Sequence, residues 1–118
     1  MTKKVMIVDD DKTMNQLLQT LLELDGFKVI LEPNGAKALA TARTEKPDGI
    51  LMDVHIGDTN GVELLKQFRG DPGLKGIPVV MSSGMDLEDQ CTQAGCAAFM
   101  LKPYPPEELS NTFKKLIS

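Results

Sequence analysis

The residues of this chain that could do chemistry stand where short apolar runs end. They are two aspartates after the first run, one after the third, two serines after the fourth and a lysine after the fifth: Asp9, Asp10, Asp53, Ser82, Ser83 and Lys102. Three carboxylates brought together repel one another unless a cation joins them, and a few oxygen ligands with room for water suit Mg²⁺. A hydroxyl and an ammonium group beside them would suit an anionic, oxygen-rich ligand such as a phosphoryl group.

Asp53 is the centre of this set because it closes the apolar run Ile50-Leu51-Met52 and precedes a turn-like segment, residues 55–61. An unpaired buried charge is costly, so an acid delivered by a buried strand needs a partner or a task. A metal ion, a lysine and a hydroxyl would together stabilise charge on a phosphoryl group in transfer. Asp53 would then be the nucleophile, and the product would be an aspartyl phosphate.

The elements that would position these residues alternate regularly along the chain. Apolar runs predict five buried strands, at residues 4–8, 27–31, 50–53, 77–81 and 97–101. Caps and breakers delimit five helices: Asp11 to Gly26, Asn34 to Pro47, Asn60 to Gly70, Asp86 to Gly95, and Pro105 onward. This alternation predicts an α/β fold with a parallel sheet covered on both faces. In such a fold, ligands bind outside the carboxyl ends of the strands.

Length, hydropathy and charge restrict the classes of function that this chain could have. The 118 residues suit one domain, 1–118, with one core. No apolar run could span a bilayer and no signal-peptide pattern appears, so we predict a cytoplasmic protein without membrane association. The net charge of −4 and the lack of a basic stripe argue against direct nucleic-acid binding. Cys91 and Cys96 should lie on different faces of one helix and its end, as free thiols.

Each of these candidate site residues also has an ordinary structural explanation when it is considered alone. The acids 9–11 could form a helix-capping cluster, and Asp53 could be a turn residue. Ser83 could be a satisfied loop hydroxyl, and Lys102 a solvated lysine. Their joint placement at the ends of successive strands is what these separate explanations do not predict.

The ordered set of motifs resembles the receiver domain of two-component response regulators, the fold of the chemotaxis regulator. The motifs are Val8-Asp9-Asp10, Leu51-Met52-Asp53 with Asn60-Gly61 downstream, Ile77-Pro78-Val79 leading to Ser83-Gly84, Ala94-Gly95-Cys96, and Lys102-Pro103-Tyr104. The resemblance covers nearly the whole chain. It implies a flavodoxin-like, doubly wound five-stranded parallel sheet of order 2-1-3-4-5 flanked by five helices.

The resemblance implies roles for the acidic residues. Asp53 would be the phosphoacceptor and would also bind Mg²⁺. Asp10 would be a direct ligand of the same ion, and the main-chain carbonyl of His55 would complete the protein's share of the shell. Asp9 would act on the metal through water.

The resemblance also implies a switch. The hydroxyl of Ser83, which precedes Gly84, would turn toward the phosphoryl group, and Lys102 would pair with that group. Phe99 falls at the aromatic switch position, where the ring turns inward when Ser83 moves. The fourth helix, the fifth strand and the fifth helix would carry the change to an output partner.

Similar domains take phosphoryl groups from a phosphohistidine on a sensor histidine kinase or a histidine phosphotransfer protein. They dock partners, or form homodimers on phosphorylation, through the same surface. No output domain follows Ser118, so we expect either a stand-alone receiver or one that belongs to a longer protein.

The chain departs from the family pattern at three places. Ile56-Gly57 stands where Met-Pro is common, and Gly57 frees a φ angle that proline would fix. His55 is uncommon at its position, and its side chain and that of Met85 would line the mouth of the site and tune dephosphorylation. Phe99 lacks the hydroxyl of the usual tyrosine, which removes any switch that needs that hydrogen bond.

Two other functions stay open at this point. A Mg²⁺-dependent phosphohydrolase of the aspartyl-phosphate kind also uses acids at strand ends, although this chain is short and shows no cap region over a substrate. A degenerate receiver would serve only as an interaction module, although the set Asp10, Asp53, Ser83 and Lys102 is intact. The sequence favours a phosphoryl-accepting switch that catalyses only its own phosphorylation and dephosphorylation.

Overall fold

Five parallel strands form the central sheet of the computed structural model, which describes residues 2–117. They are β1 (Lys4–Val8), β2 (Lys28–Glu32), β3 (Gly49–Asp53), β4 (Val79–Ser83) and β5 (Ala98–Leu101). Their order across the sheet is β2-β1-β3-β4-β5, and all neighbours run parallel. The predicted fold class and strand order are therefore confirmed. The order reverses beside β1, so that β1 and β3 flank the switch point where such sheets bind ligands.

Four α-helices connect the strands and a fifth follows β5: α1 (Lys12–Leu24), α2 (Ala38–Glu45), α3 (Gly61–Gly70), α4 (Glu88–Ala94) and α5 (Pro106–Ile117). The predicted caps are present, because the side chain of Asp11 accepts a hydrogen bond from the Met14 amide and that of Asn60 accepts from the Val62 amide. Gly95 ends α4 in the left-handed conformation with φ 103°. Within residues 2–117, no helix has the length and apolar content that crossing a membrane requires.

Two apolar clusters cover the two faces of the sheet. Alternate residues of one strand enter different clusters, so that Met6 packs with Phe68 of α3 on one face and Ile7 packs with Phe113 of α5 on the other. This two-sided burial explains why the strands are continuous apolar runs. Leu17 of α1, which lies on the predicted apolar face, is instead 47% exposed.

Some element boundaries differ from the prediction. β4 begins at Val79 instead of residue 77, because Pro78 has no N–H to give the ladder and lies just before the strand. The strand extends to Ser83 instead of ending at residue 81. The two serines, Ser82 and Ser83, thus belong to the strand, and both are buried. A 3₁₀ turn, Gly35–Lys37, precedes α2. β2 runs one residue later than predicted, and α4 begins two residues later.

Residues 55–60, expected to be a turn-like segment, form a small antiparallel hairpin outside the main sheet. Its strands are His55–Ile56 and Thr59–Asn60. Gly57 begins the connecting turn with φ 57°, a conformation that side chains rarely adopt. The departure of this chain from Met-Pro thus serves a hairpin that proline at residue 57 could not form.

Both cysteines are free thiols, as predicted. Cys91 is buried on α4, and its burial raises the pKa of the thiol to about 11. The amide of Cys96 donates to the carbonyl of Cys91 at 3.0 Å and closes the end of α4. Both thiols pack in or against the apolar cluster that α4 helps to cover.

Gly61 sets the close approach of α3 to β3. A Cβ atom added there would overlap the main-chain oxygen of Asp53. We predict that Gly61→Ala lowers the free energy of unfolding by about 1–3 kcal/mol, the usual cost of overpacking, because the methyl group must push α3 away from β3. Urea unfolding measures this change.

Gly70, at the other end of the same helix, supplies the matched control. An added Cβ atom there meets nothing within 4 Å. Gly70→Ala should leave stability unchanged or raise it by up to about 1 kcal/mol through helix propensity. A Gly61→Ala chain as stable as the unmodified chain would contradict the close-approach argument.

Candidate functional site

The parallel register brings the predicted polar residues to one edge of the sheet. Asp53 is the last residue of β3 and pairs with Ser82 of β4, while Asp9 follows β1 on the other side of β3. The amide of Lys102, just after β5, donates to the carbonyl of Ser83 at 2.8 Å. Acids, hydroxyls and lysine therefore stand at the ends of four strands that are neighbours in the sheet.

Lys102 lies between two of the acids. Its Nζ is 3.2 Å from Oδ2 of Asp53 and 3.4 Å from Oδ2 of Asp9. The side chains are 27% exposed for the lysine, 14% for Asp53 and 4% for Asp9, so water screens these charges only in part. A single ammonium group thus offsets two carboxylates.

Burial and charge both shift pKa values in this site. Burial raises the pKa of Asp9, the nearby carboxylate of Asp53 raises it further, and neither the Asp11 amide nor Lys102 fully cancels the rise. Burial acts to lower the pKa of Lys102, but the two carboxylates outweigh it and the pKa is raised. With two carboxylates against one ammonium group, the site carries more negative charge than the lysine neutralises.

Asp10 is adjacent to Asp9 in sequence but has a different neighbour. Its Oδ2 accepts a hydrogen bond from the amide of Gly57 at 3.0 Å, whereas Oδ1 of Asp9 accepts from the amide of Asp11 at 3.0 Å. Asp10 is exposed. The structure therefore brings Asp9, Asp53 and Lys102 together and places Asp10 at the rim, against the hairpin.

The excess negative charge and the all-oxygen donors fit a divalent cation such as Mg²⁺. Across residues 2–117, no three His, Cys, Asp or Glu side chains converge as a ready-made metal cage. Mg²⁺ does not require one, because it keeps several waters and binds proteins through one or two carboxylates. Asp10, Asp53 and the main-chain carbonyl of His55 are the donors that would hold it, with Asp9 acting through water.

The predicted switch residues lie at the end of β4, just after it, and on β5. Ser83 is buried, and its hydroxyl oxygen accepts a hydrogen bond from the amide of Met85 at 3.0 Å. Gly84, between them, is exposed. Phe99 on β5 is partly buried and packs against the core cluster of α3 and α4. Their roles in switching stay predictions.

Two further residues, which the sequence pattern did not mark as functional, contact the acids or are influenced by them. Asn15 of α1 is buried, and its Nδ2 donates to the carbonyl of Asp9 at 2.7 Å. Burial, with the charges of Asp9 and Asp53, raises the pKa of Tyr104 to about 12. The signal for Asn15 was its core spacing, three and seven residues before the buried Leu18 and Leu22.

Known proteins share this fold and part of this sequence. The family model of the response regulator receiver domain matches residues 5–114. The polar-differentiation response regulator DivK of Brucella anthropi is 34% identical over 120 residues, which cover 99% of this chain and 98% of that protein. Among solved structures, the chemotaxis response regulator CheY4 of Vibrio cholerae has a TM-score of 0.91 at 27% identity, covering 99% of this chain and 100% of that one.

A response regulator from Thermotoga maritima has a TM-score of 0.86 at 30% identity, covering 99% of this chain and 98% of that one. The family match spans most of the chain, and the likeness to DivK spans nearly all of both proteins. The sheet order agrees with these likenesses, and family membership decides against the phosphohydrolase alternative. This chain belongs to the family of response regulator receiver domains, the CheY-like signalling switches of two-component systems.

Proposed function

We propose that this receiver domain accepts a phosphoryl group on Asp53 in a Mg²⁺-dependent reaction. The donor would be a phosphohistidine on a sensor histidine kinase or a histidine phosphotransfer protein. The observation that carries the proposal is the contact between the Asp53 carboxylate and Nζ of Lys102, 3.2 Å apart at the end of β3. The carboxylate that would attack the phosphoryl group and the ammonium group that would bind it are thus already adjacent.

In the proposed transfer, a carboxylate oxygen of Asp53 attacks the phosphorus atom while the bond from phosphorus to the donor's imidazole nitrogen breaks. The other ring nitrogen of the donor carries a proton, so the nitrogen that keeps the electron pair of the broken bond is left in a neutral imidazole, and a mixed anhydride forms on Asp53. In hydrolysis, water attacks the phosphorus, inorganic phosphate leaves, and the carboxylate is regenerated. The domain therefore catalyses only its own phosphorylation and dephosphorylation.

The residues around Asp53 would stabilise the charge of the transferred group. Nζ of Lys102 would pair with one phosphoryl oxygen in place of a carboxylate oxygen. The hydroxyl of Ser83 accepts from the amide of Met85, so its own hydrogen is available for a second phosphoryl oxygen. Mg²⁺, held by Asp10, Asp53 and the carbonyl of His55, would neutralise charge on the phosphoryl oxygens.

The signal would leave through α4, β5 and α5. A shift of Ser83 toward the phosphoryl group would move the segment that leads into α4 and open space for the partly buried ring of Phe99. Leu101 at the end of β5 and Leu116 on α5 are exposed apolar side chains, 49% and 37% accessible. An output partner, or a second phosphorylated copy, would bind this surface.

Incubation with Mg²⁺ and acetyl phosphate tests the acceptor directly. We predict a single phosphoryl adduct by intact mass spectrometry, which disappears in Asp53→Ala and when Mg²⁺ is chelated. Asp58→Ala, at an exposed acid of the hairpin turn, is the matched control and should keep the adduct. A folded chain that forms no adduct with acetyl phosphate or with any histidine kinase would instead be the degenerate interaction module.

The pH dependence of folding tests the role of Lys102. Because its pKa is raised in the folded chain, its contribution to stability is complete below the ordinary value of 10.5 and is lost as pH rises through the raised value. We predict that Lys102→Met lowers the free energy of unfolding at neutral pH by roughly 1–3 kcal/mol, between the ranges for surface and buried ion pairs. The difference from the unmodified chain should narrow above pH 10.5.

Urea unfolding across the neutral to alkaline range measures this difference. Lys115→Met, at an exposed lysine of α5, should follow the unmodified chain at every pH. A stability loss in Lys102→Met that stays constant up to strongly alkaline pH would show that the lysine acts through packing and not through its charge.

His55 and Met85 would control how fast the phosphoryl group is lost. Both side chains are exposed, two residues after Asp53 and after Ser83 respectively. We predict that Met85→Ala shortens the phosphoryl lifetime several-fold because water gains access, and that His55→Ala changes it by a similar factor. The decay of the adduct after donor removal measures the lifetime, and Leu24→Ala, at an exposed side chain of α1, is the control. Unchanged lifetimes in both variants would refute this role.

A further inference from the structure

The amide of Gly57 donates to Oδ2 of Asp10 at 3.0 Å, which connects the hairpin to a proposed metal ligand. We propose that Gly57 is a positioning residue, whose N–H fixes the Asp10 carboxylate for a divalent cation. This inference rests on the proposed Mg²⁺ site. It concerns the affinity for the cation and does not depend on phosphoryl transfer.

Packing contacts of both hairpin strands fix the position of this amide. Ile56, beside Gly57, is only 2% exposed and belongs to the core cluster between the sheet and α3. Thr59, on the opposite strand, lies so close to Gly35 that a Cβ atom added at Gly35 would come within 2.6 Å of it. The N–H of Gly57 is therefore held in place from both strands of the hairpin.

Asp10 has little else to fix it. Its side chain is exposed, and in the described part of the chain it forms no ion pair, because Lys102 pairs with Asp9 and Asp53 instead. A free carboxylate loses rotamer freedom when it binds a metal, and that loss weakens binding. A group that holds the ligand beforehand reduces the loss. Since a carboxylate has two oxygens, Oδ1 stays available while Oδ2 accepts the N–H.

Glycine is suited to this task for two reasons. Residue 57 has φ 57°, which glycine adopts without strain, and it must also supply an N–H. Proline meets neither condition. The hairpin turn alone would explain the φ angle, so the part of the inference to be tested is the effect of the N–H on cation affinity.

The sharpest test replaces that N–H by an oxygen atom and keeps every side chain. In a semisynthetic full-length chain, glycolic acid at residue 57 replaces the amide by an ester and retains the freedom of φ. Isothermal titration calorimetry with Mg²⁺ alone, without a phosphodonor, then gives the dissociation constant. We expect it to rise roughly 10- to 100-fold, the range for losing a group that orients a metal ligand.

Gly73 provides a matched control for the ester. Its amide also donates to an aspartate carboxylate, Oδ1 of Asp71, at 2.9 Å, in the loop after α3. The same replacement at Gly73 should leave the Mg²⁺ affinity unchanged. In a genetic version of the test, Gly57→Asn, which keeps the N–H and tolerates positive φ, should bind Mg²⁺ more tightly than Gly57→Pro.

The outcomes separate this inference from the proposed function. Equal or tighter Mg²⁺ binding by the ester at residue 57, in a chain that urea unfolding shows to be folded, would overturn the inference alone. An unmodified chain that binds no Mg²⁺ would overturn the proposed metal site as well. A loss confined to residue 57 would support the positioning role, whatever the phosphorylation assay shows.

Discussion

One ammonium group holds together two carboxylates that the fold forces to the same edge of the sheet. Asp9 and Asp53 end or follow neighbouring strands, so their separation is set by the parallel ladder and not by their own preference. Lys102 reaches both because its main chain is bonded to Ser83 at the end of β4. Without Lys102, the two largely buried carboxylates would face each other with no cation between them.

The excess of negative charge at this edge of the sheet suits the site to binding a cation. Two acids sharing one lysine leave room for a second cation, the Mg²⁺ that we propose Asp10 and the carbonyl of His55 help to bind. The lysine and the nearby Ser83 hydroxyl suit a phosphoryl group bound to Asp53. Mg²⁺ would therefore reduce the repulsion among the carboxylates, and it would also offset the negative charge that the phosphoryl group adds.

Much of this arrangement follows from the sequence by simple physics. Strands buried on both faces are continuous apolar runs, so their ends, and the polar residues there, are visible without a structure. The caps at Asp11 and Asn60 are equally local, because each side chain bonds an amide two or three residues ahead. Residue 53 at the end of β3 and residue 102 after β5 were predicted on this basis.

Other features depend on contacts between distant residues and left no clear local signal. Ser82 and Ser83 lie inside a buried strand, where a rule based on apolar residues does not place them. The hairpin strands are two residues long, too short for a period to appear. The hydrogen bond from Gly57 to Asp10 joins residues 47 positions apart. The sequence therefore indicated the free φ angle of Gly57 but not the hydrogen-bond partner of its amide.

Identifying the residue that becomes phosphorylated would show whether Asp53 is the nucleophile. Borohydride reduces an aspartyl phosphate to homoserine, which marks the acceptor permanently. After incubation with Mg²⁺ and acetyl phosphate, reduction and peptide mass mapping should find homoserine at position 53 and at no other aspartate. Homoserine at position 9 or 10, with Asp53 intact, would contradict the assignment of the nucleophile on which this account depends.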